Sequence, residues 1–270
     1  VWRIIYKSLL MIFVIAGFIA YSLLIKLFFR NLEVRRKYYS KSVHFASLIS
    51  LKVLNVKVHA FKEKVPKNAL KEKIIVRKNK AHFIVSNHMG VLDIMIIAAE
   101  QPTLFVTSVD MRETPGLGFL TEMAGCLYVE RRSRLSIQKE IQQIREALHQ
   151  NLNITLYPEG MATNGEKVHP FKKSLLTAAA GTEVPIQPVV VNFRKVNGEK
   201  MSLKWRDYVC WYGNQSFFAA MIRTMSVKSI KADIEYLEPI RMHSDEERRV
   251  IAETLHQRIS KEFIPLHNEA

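Results

Sequence analysis

His88 and Asp93 lie five residues apart in Ser86-Asn87-His88-Met89-Gly90-Val91-Leu92-Asp93, with a glycine between them. On one continuous helix that separation turns two side chains about 140° apart. They meet only if His88 sits in a loop and Asp93 in the first helical turn, where the helix dipole also favours an acid. A carboxylate bonded to one imidazole nitrogen fixes the tautomer and leaves the other nitrogen as a base. The plainer reading of an isolated pair is a turn-capping histidine beside an ordinary helix acid. Two further polar clusters weigh against it. Glu130-Arg131 offers a guanidinium whose planar fork suits a phosphate, although Arg132 and Arg134 beside it also fit a solvated basic turn. Pro158-Glu159-Gly160 sets a carboxylate on a turn of restricted backbone, to accept loop amides or to orient an acceptor.

Each cluster directly follows an apolar run that reads as a strand: Phe83 to Val85 before His88, Cys126 to Val129 before Glu130, and Ile154 to Tyr157 before Glu159. In a parallel sheet the carboxyl ends share one edge, where ligands bind, so residues some 70 apart in sequence can converge there. Val91 to Ala99 reads as a helix that ends ahead of Pro102. Thr103 to Thr107 reads as a strand, and Ser108 to Gly118 as a loop or broken helix. Ile137, Ile141, Ile144 and Leu148 trace one face of a helix. Ile186 to Phe193 is a further strand, and Trp205 to Asn214 and Ala232 to Leu237 are expected to be others. Ser244 to Phe263 reads as a closing helix with Ser244 and Glu247 as a capping box. The alternation predicts the α/β class: a largely parallel sheet covered by helices on both faces, with an N-terminal membrane-anchoring helical segment.

That anchor comes from Ser8 to Ile25, 18 residues without a charge. As a helix the run is about 27 Å long, near the thickness of a bilayer core. It is expected to span the membrane or re-enter it. Arg3 and Lys7 precede it, and Lys26, Arg30, Arg35, Arg36, Lys37 and Lys41 follow. The heavier positive flank predicts a catalytic domain on the cytoplasmic side, at the inner membrane in a bacterium. Val43 to Val53 reads either as an interfacial helix or as one packed on the domain. The expected division is residues 1–55 as anchoring helices and 56–270 as the α/β domain. The Lys-rich stretch from Val53 to Lys80 reads as a basic rim able to touch anionic lipid. The net charge of +15 and pI near 9.8 favour anionic partners. No nucleic-acid motif is present, so nucleic acid is not expected among them. Cys126 and Cys210 form no metal or redox pattern.

Asn87-His88 with Asp93 resembles the first signature of the glycerolipid acyltransferases, the 1-acylglycerol-3-phosphate acyltransferase family. Gly125-Cys126-Leu127-Tyr128-Val129-Glu130-Arg131 looks like its second motif, Tyr157-Pro158-Glu159-Gly160 is similar to its Phe-Pro-Glu-Gly third, and Val184 to Val189 resembles its fourth. Phe171-Lys172-Lys173 is similar to the basic segment between the last two. The motifs occur in family order from about His82 to Phe193. The resemblance implies a membrane-bound O-acyltransferase. It would move a fatty acyl group from acyl-CoA or acyl carrier protein to a lysolipid hydroxyl, with lysophosphatidic acid or a related lysophospholipid as the first expectation. His88 and Asp93 are then the catalytic pair, and Asn87, Arg131, Glu159, Gly160 and Lys172 bind substrate. No metal and no cofactor beyond the acyl donor is implied. Backbone amides near Gly90 or Gly160 are the expected oxyanion donors. The chain departs from the family at Met161-Ala162, where Thr-Arg is usual, at Ser174, often Gly, and between the first two motifs, where a Lys is usual and Arg112 is the nearest basic residue. These departures point to another single-chain acceptor, such as a lysophospholipid with a larger headgroup or a lyso-aminolipid. A thioester hydrolase and a non-catalytic membrane-binding protein are the alternatives from other classes.

Overall fold

The computed structural model describes residues 1–62, 81–130 and 136–267. Its centre is β2 (Phe83–Ser86), buried at every residue and paired on its two edges with β5 (Ile154–Leu156) and β6 (Ile186–Val196). A strand in that position has no solvent face, which is why its sequence is a continuous apolar run. Parallel pairing continues from β5 to β3 (Leu104–Ser108) and from β3 to β4 (Leu127–Val129). On the other side β6 pairs antiparallel with β8 (Ile230–Tyr236), and β8 pairs parallel with β1 (Val56–Lys62). The strand order is thus β1-β8-β6-β2-β5-β3-β4, with the short β7 (Glu199–Lys200) off β6. Asn197 and Gly198, both at positive φ, make the β6–β7 turn. Asn-Gly is a strong hairpin signal that the sequence reading passed over.

The helices form two layers. α2 (Leu32–Leu54) packs on α3 (Val91–Glu100), while α6 (Ile137–His149) and α9 (Arg248–Glu262) both pack on a 3₁₀ segment, Ser174–Ala179. The expected mostly parallel sheet flanked by helices is the fold observed. α2 starts eleven residues before the predicted Val43 and takes the domain-packing alternative, burying Tyr39, Leu51 and Leu54 in the core. Asn31 caps its start by accepting from Val34 N at 3.1 Å.

Two local expectations fail. Trp205 to Asn214 is not a strand: a 3₁₀ turn, Leu203–Trp205, runs into the one-turn helix α7 (Arg206–Val209), and the chain then turns back towards the site. The backbone N–H of Trp211 donates to Met89 O at 2.8 Å instead of to a ladder. The Ser244 side chain makes no cap hydrogen bond; Glu247 instead accepts from His243 N at 2.9 Å, and α9 follows a 3₁₀ turn. The segment expected as a loop or broken helix contains α4 (Val109–Glu113) and leads into α5 (Leu117–Met123).

α1 (Trp2–Phe28) is 27 residues, about 40 Å, and is long and apolar enough to cross a membrane. It lies against α2 and α8 (Phe217–Ser226) and is held by polar bonds at both ends. Arg3 donates to Ser226 O at 3.0 Å, and Lys26 pairs with Glu122 at 3.0 Å. Lys7, fully buried, donates to Leu54 O at 2.9 Å and Val227 O at 2.8 Å, carbonyls at the C-terminal ends of two helices.

Candidate active site

The loop from β2 to α3 is fixed residue by residue. Asn87 is buried, and its side-chain amide both donates to Val191 O at 3.0 Å and accepts from Val191 N at 2.9 Å. Both functions of the amide are therefore spent on β6, and Asn87 anchors the loop. The main chain of His88 is clasped by the loop after β5. Its N–H donates to Glu159 Oε1 at 2.8 Å, and its carbonyl accepts from Thr163 N at 2.9 Å and Thr163 Oγ1 at 3.0 Å. At Gly90 the strap carrying Trp211 comes so close that a Cβ would lie 2.8 Å from Trp211 N.

The His88 Nδ1 atom lies 3.1 and 3.2 Å from the two oxygens of Asp93. Asp93 is completely buried in the first turn of α3, and its Oδ2 also accepts from Met89 N and, at 3.0 Å, from Gly90 N. Facing these carboxylate oxygens, the matching tautomer of His88 carries its proton on Nδ1 and leaves Nε2 with its lone pair. The Nε2 atom makes no hydrogen bond among the described residues, and the side chain is 16% exposed. The face of the imidazole stacks on Tyr157, with centroids 4.0 Å apart and planes 14° from parallel.

Glu159 is buried, and its other oxygen accepts from His169 N at 2.7 Å. Of the two roles open to it from sequence, contact with loop amides is the one its geometry displays. Burial pushes its carboxyl up to about 7, with the His169 and His88 amides pulling the other way. Gly160, at φ 81°, packs beneath Lys172, and a Cβ there would lie 2.7 Å from Lys172 Nζ. Lys172 is exposed and makes no ion pair among the described residues. Arg131, with Arg132 and Arg134, and most of the basic stretch up to Lys80 fall outside those residues. Glu130, just before Arg131, follows β4, and its N–H donates to the buried Glu140 at 2.6 Å. Among the described residues no group of three His, Cys, Asp or Glu side chains is placed to hold a metal.

Gly90 N is taken by Asp93 and Gly160 N by Tyr157 O, at 3.0 Å each, so neither glycine amide is open to an oxyanion. The next two amides in the chain, Met161 and Ala162, make no hydrogen bond among the described residues. Thr163, Trp211 and the Tyr157 stack escaped the sequence reading. Thr163 and Tyr157 lie in or beside the third motif, but no local pattern marks Trp211, which reaches the site only through the fold.

A mostly parallel α/β sheet with a histidine–carboxylate pair in the loop after its central strand has the form of an acyl-transfer domain. The sequence profile of the Acyltransferase family matches residues 56–192, and the chain belongs to that family. It is 27% identical over 183 residues to a lyso-ornithine lipid O-acyltransferase of Brucella abortus, and 35% identical over 111 residues to one of Pseudomonas aeruginosa. The matched stretches cover 65% and 41% of this chain, and 68% and 43% of those relatives. A 1-acyl-sn-glycerol-3-phosphate acyltransferase of Neisseria gonorrhoeae is 21% identical over 176 residues, 65% of this chain and 67% of that protein. The crystal structure of the 1-acyl-sn-glycerophosphate acyltransferase of Thermotoga maritima superposes with a TM-score of 0.60 at 20% identity, covering 96% of this chain and 95% of that one. At that identity the likeness is one of fold.

Proposed function

We propose that the chain transfers a fatty acyl group from an acyl thioester, acyl-CoA or acyl carrier protein, to the free hydroxyl of a lysolipid at a membrane. The observation that carries this is the His88 imidazole, bound to Asp93 through Nδ1 with Nε2 unpartnered among the described residues. Nε2 takes the proton of the acceptor hydroxyl, and the oxygen attacks the thioester carbonyl. The tetrahedral oxyanion is held by the amides of Met161 and Ala162. When the C–S bond breaks, the thiolate leaves and recovers the proton from His88. Asp93 keeps the tautomer and stabilises the imidazolium. The requirement for an acceptor separates transfer from hydrolysis: thiol release from acyl-CoA should depend on added lysolipid.

The acceptor is a lyso-aminolipid. Two of the relatives are named as lyso-ornithine lipid O-acyltransferases, and the turn after Gly160 is the neutral Met161-Ala162. A missing charge-assisted hydrogen bond costs about 1.5–3 kcal/mol, so a phosphate monoester should lose about ten- to a hundredfold in relative rate. Lys172, over Gly160, remains as a cation for a headgroup carboxylate. Lysophosphatidic acid is the second reading, supported by the Neisseria relative. The test compares kcat/KM for lyso-ornithine lipid and lysophosphatidic acid with one acyl donor in one detergent. A preference of about a hundredfold or more for lysophosphatidic acid overturns the first reading.

Membrane attachment is assigned to α1. Trp2, Leu9, Ile12, Phe13, Leu24 and Leu27 point away from the domain, so the helix presents lipid-compatible surface along its length.

A further inference from the structure

We propose that Tyr157 is a positioning residue for the His88–Asp93 pair, its ring setting the plane of the imidazole and its buried hydroxyl tempering the Asp93 carboxylate. The proposal rests on His88 being the base. The Nδ1 contact is nearly symmetric, 3.1 and 3.2 Å to the two carboxylate oxygens, and it fixes one atom of the ring. A bond to a single atom leaves the ring free to tilt, and the tilt decides where Nε2 points. The face of Tyr157, 4.0 Å away, removes that freedom. Tyr157 is itself backed by Phe105, with centroids 6.3 Å apart and planes at 11°, so three rings stand in one column rising from neighbouring strands.

A phenylalanine would supply the same stack, and it is the residue of the Phe-Pro-Glu-Gly motif that this stretch resembles. The hydroxyl is therefore an addition that packing does not require. It is buried and makes no hydrogen bond of full geometry among the described residues, its polar neighbour being the Asp93 carboxylate. Burial, then the charge of Asp93 and the hydroxyl's contact with that carboxylate, raise the phenol well above its ordinary value, so it remains protonated. An O–H dipole beside Asp93 draws charge from a carboxylate already bonded to Met89 N, Gly90 N and His88 Nδ1. Without that dipole the carboxylate would hold more of its charge and would better stabilise an imidazolium at His88.

The other titratable groups acting on the pair are Glu159 from the loop after β5 and Cys210 from the strap. Both are unchanged when Tyr157 is substituted, so the comparison isolates that residue. The experiment measures pH profiles of kcat/KM, and kcat and KM separately, for the wild type, Tyr157→Phe, Tyr157→Leu and His88→Ala, each checked for folding by circular dichroism. Tyr157→Leu should lose about ten- to a hundredfold in kcat with KM little changed, because a misaimed base costs rate and not binding. Tyr157→Phe should recover most of that loss and move the acidic limb of the profile to higher pH. If folded Tyr157→Leu turns over like the wild type, or the Tyr157→Phe profile superimposes on it, the proposal is overturned. Should His88→Ala itself remain active, the proposed function fails instead, and the two failures are told apart by that variant.

Discussion

At the scale of single residues, the proposed mechanism separates groups that would face a reacting atom from groups that hold them. His88 presents Nε2, and its loss should lower turnover by about 10²–10⁴ or more in a protein that still folds. Asp93→Asn should fall about as far, since an amide can stabilise the wrong tautomer. Steady-state assays of the two purified variants check both. Glu159 belongs to the second kind. Its folded carboxyl is raised from 4.5 to about 7, so between those values the folded chain binds more protons than the unfolded one. Stability from this group is therefore present at low pH and is lost as pH rises from about 4.5 to about 7. Glu159→Gln should cost about 1–3 kcal/mol, because its NH₂ group faces an amide N–H. It should also flatten the pH dependence over that window. Urea denaturation of both proteins at pH 5 and pH 8 measures the difference, and equal slopes would refute the assignment.

At the scale of elements, the loop between β2 and α3 is held from three directions: by β6 through Asn87, by the loop after β5 through Glu159 and Thr163, and by the strap through Trp211. Gly90 is the point of closest approach. Gly90→Ala should displace the strap, lose the bond from Trp211 N to Met89 O, and destabilise by about 1–3 kcal/mol, read from the urea midpoint. The strands bearing His88, Glu130 and Glu159 were legible because buried parallel strands are continuous apolar runs that end where the polar motifs begin. The strap was not. Trp205, Tyr208, Val209 and Tyr212 follow a helical spacing too short to be distinguished from a half-buried strand, and their place is decided by contacts with residues more than a hundred positions earlier. The Asn-Gly hairpin after β6 was legible and went unread. The His88–Asp93 contact was foreseen from spacing, but the stack that orients the imidazole was not, since nothing local to Tyr157 says which ring it will face.

At the scale of the whole molecule, α1 is joined to the domain by hydrogen bonds and an ion pair at Arg3, Lys7 and Lys26. The membrane reading predicts that full-length protein stays in the membrane fraction after carbonate washing. Release at the rate of a peripheral control would remove it, and release by high salt alone would assign binding to the basic surface. The bonds of Lys7 also have a consequence for biosynthesis. One of its two acceptors, Val227 O, lies 220 residues further along the chain. At about 5–20 residues per second that carbonyl leaves the ribosome roughly 10 to 45 s after Lys7 does. For that interval the ammonium group has no finished socket, and on the membrane reading its long stem would let the charge snorkel to water while the rest of α1 meets lipid. On the membrane reading, insertion and docking are then separate events, and Val227, just past the end of α8, closes the second.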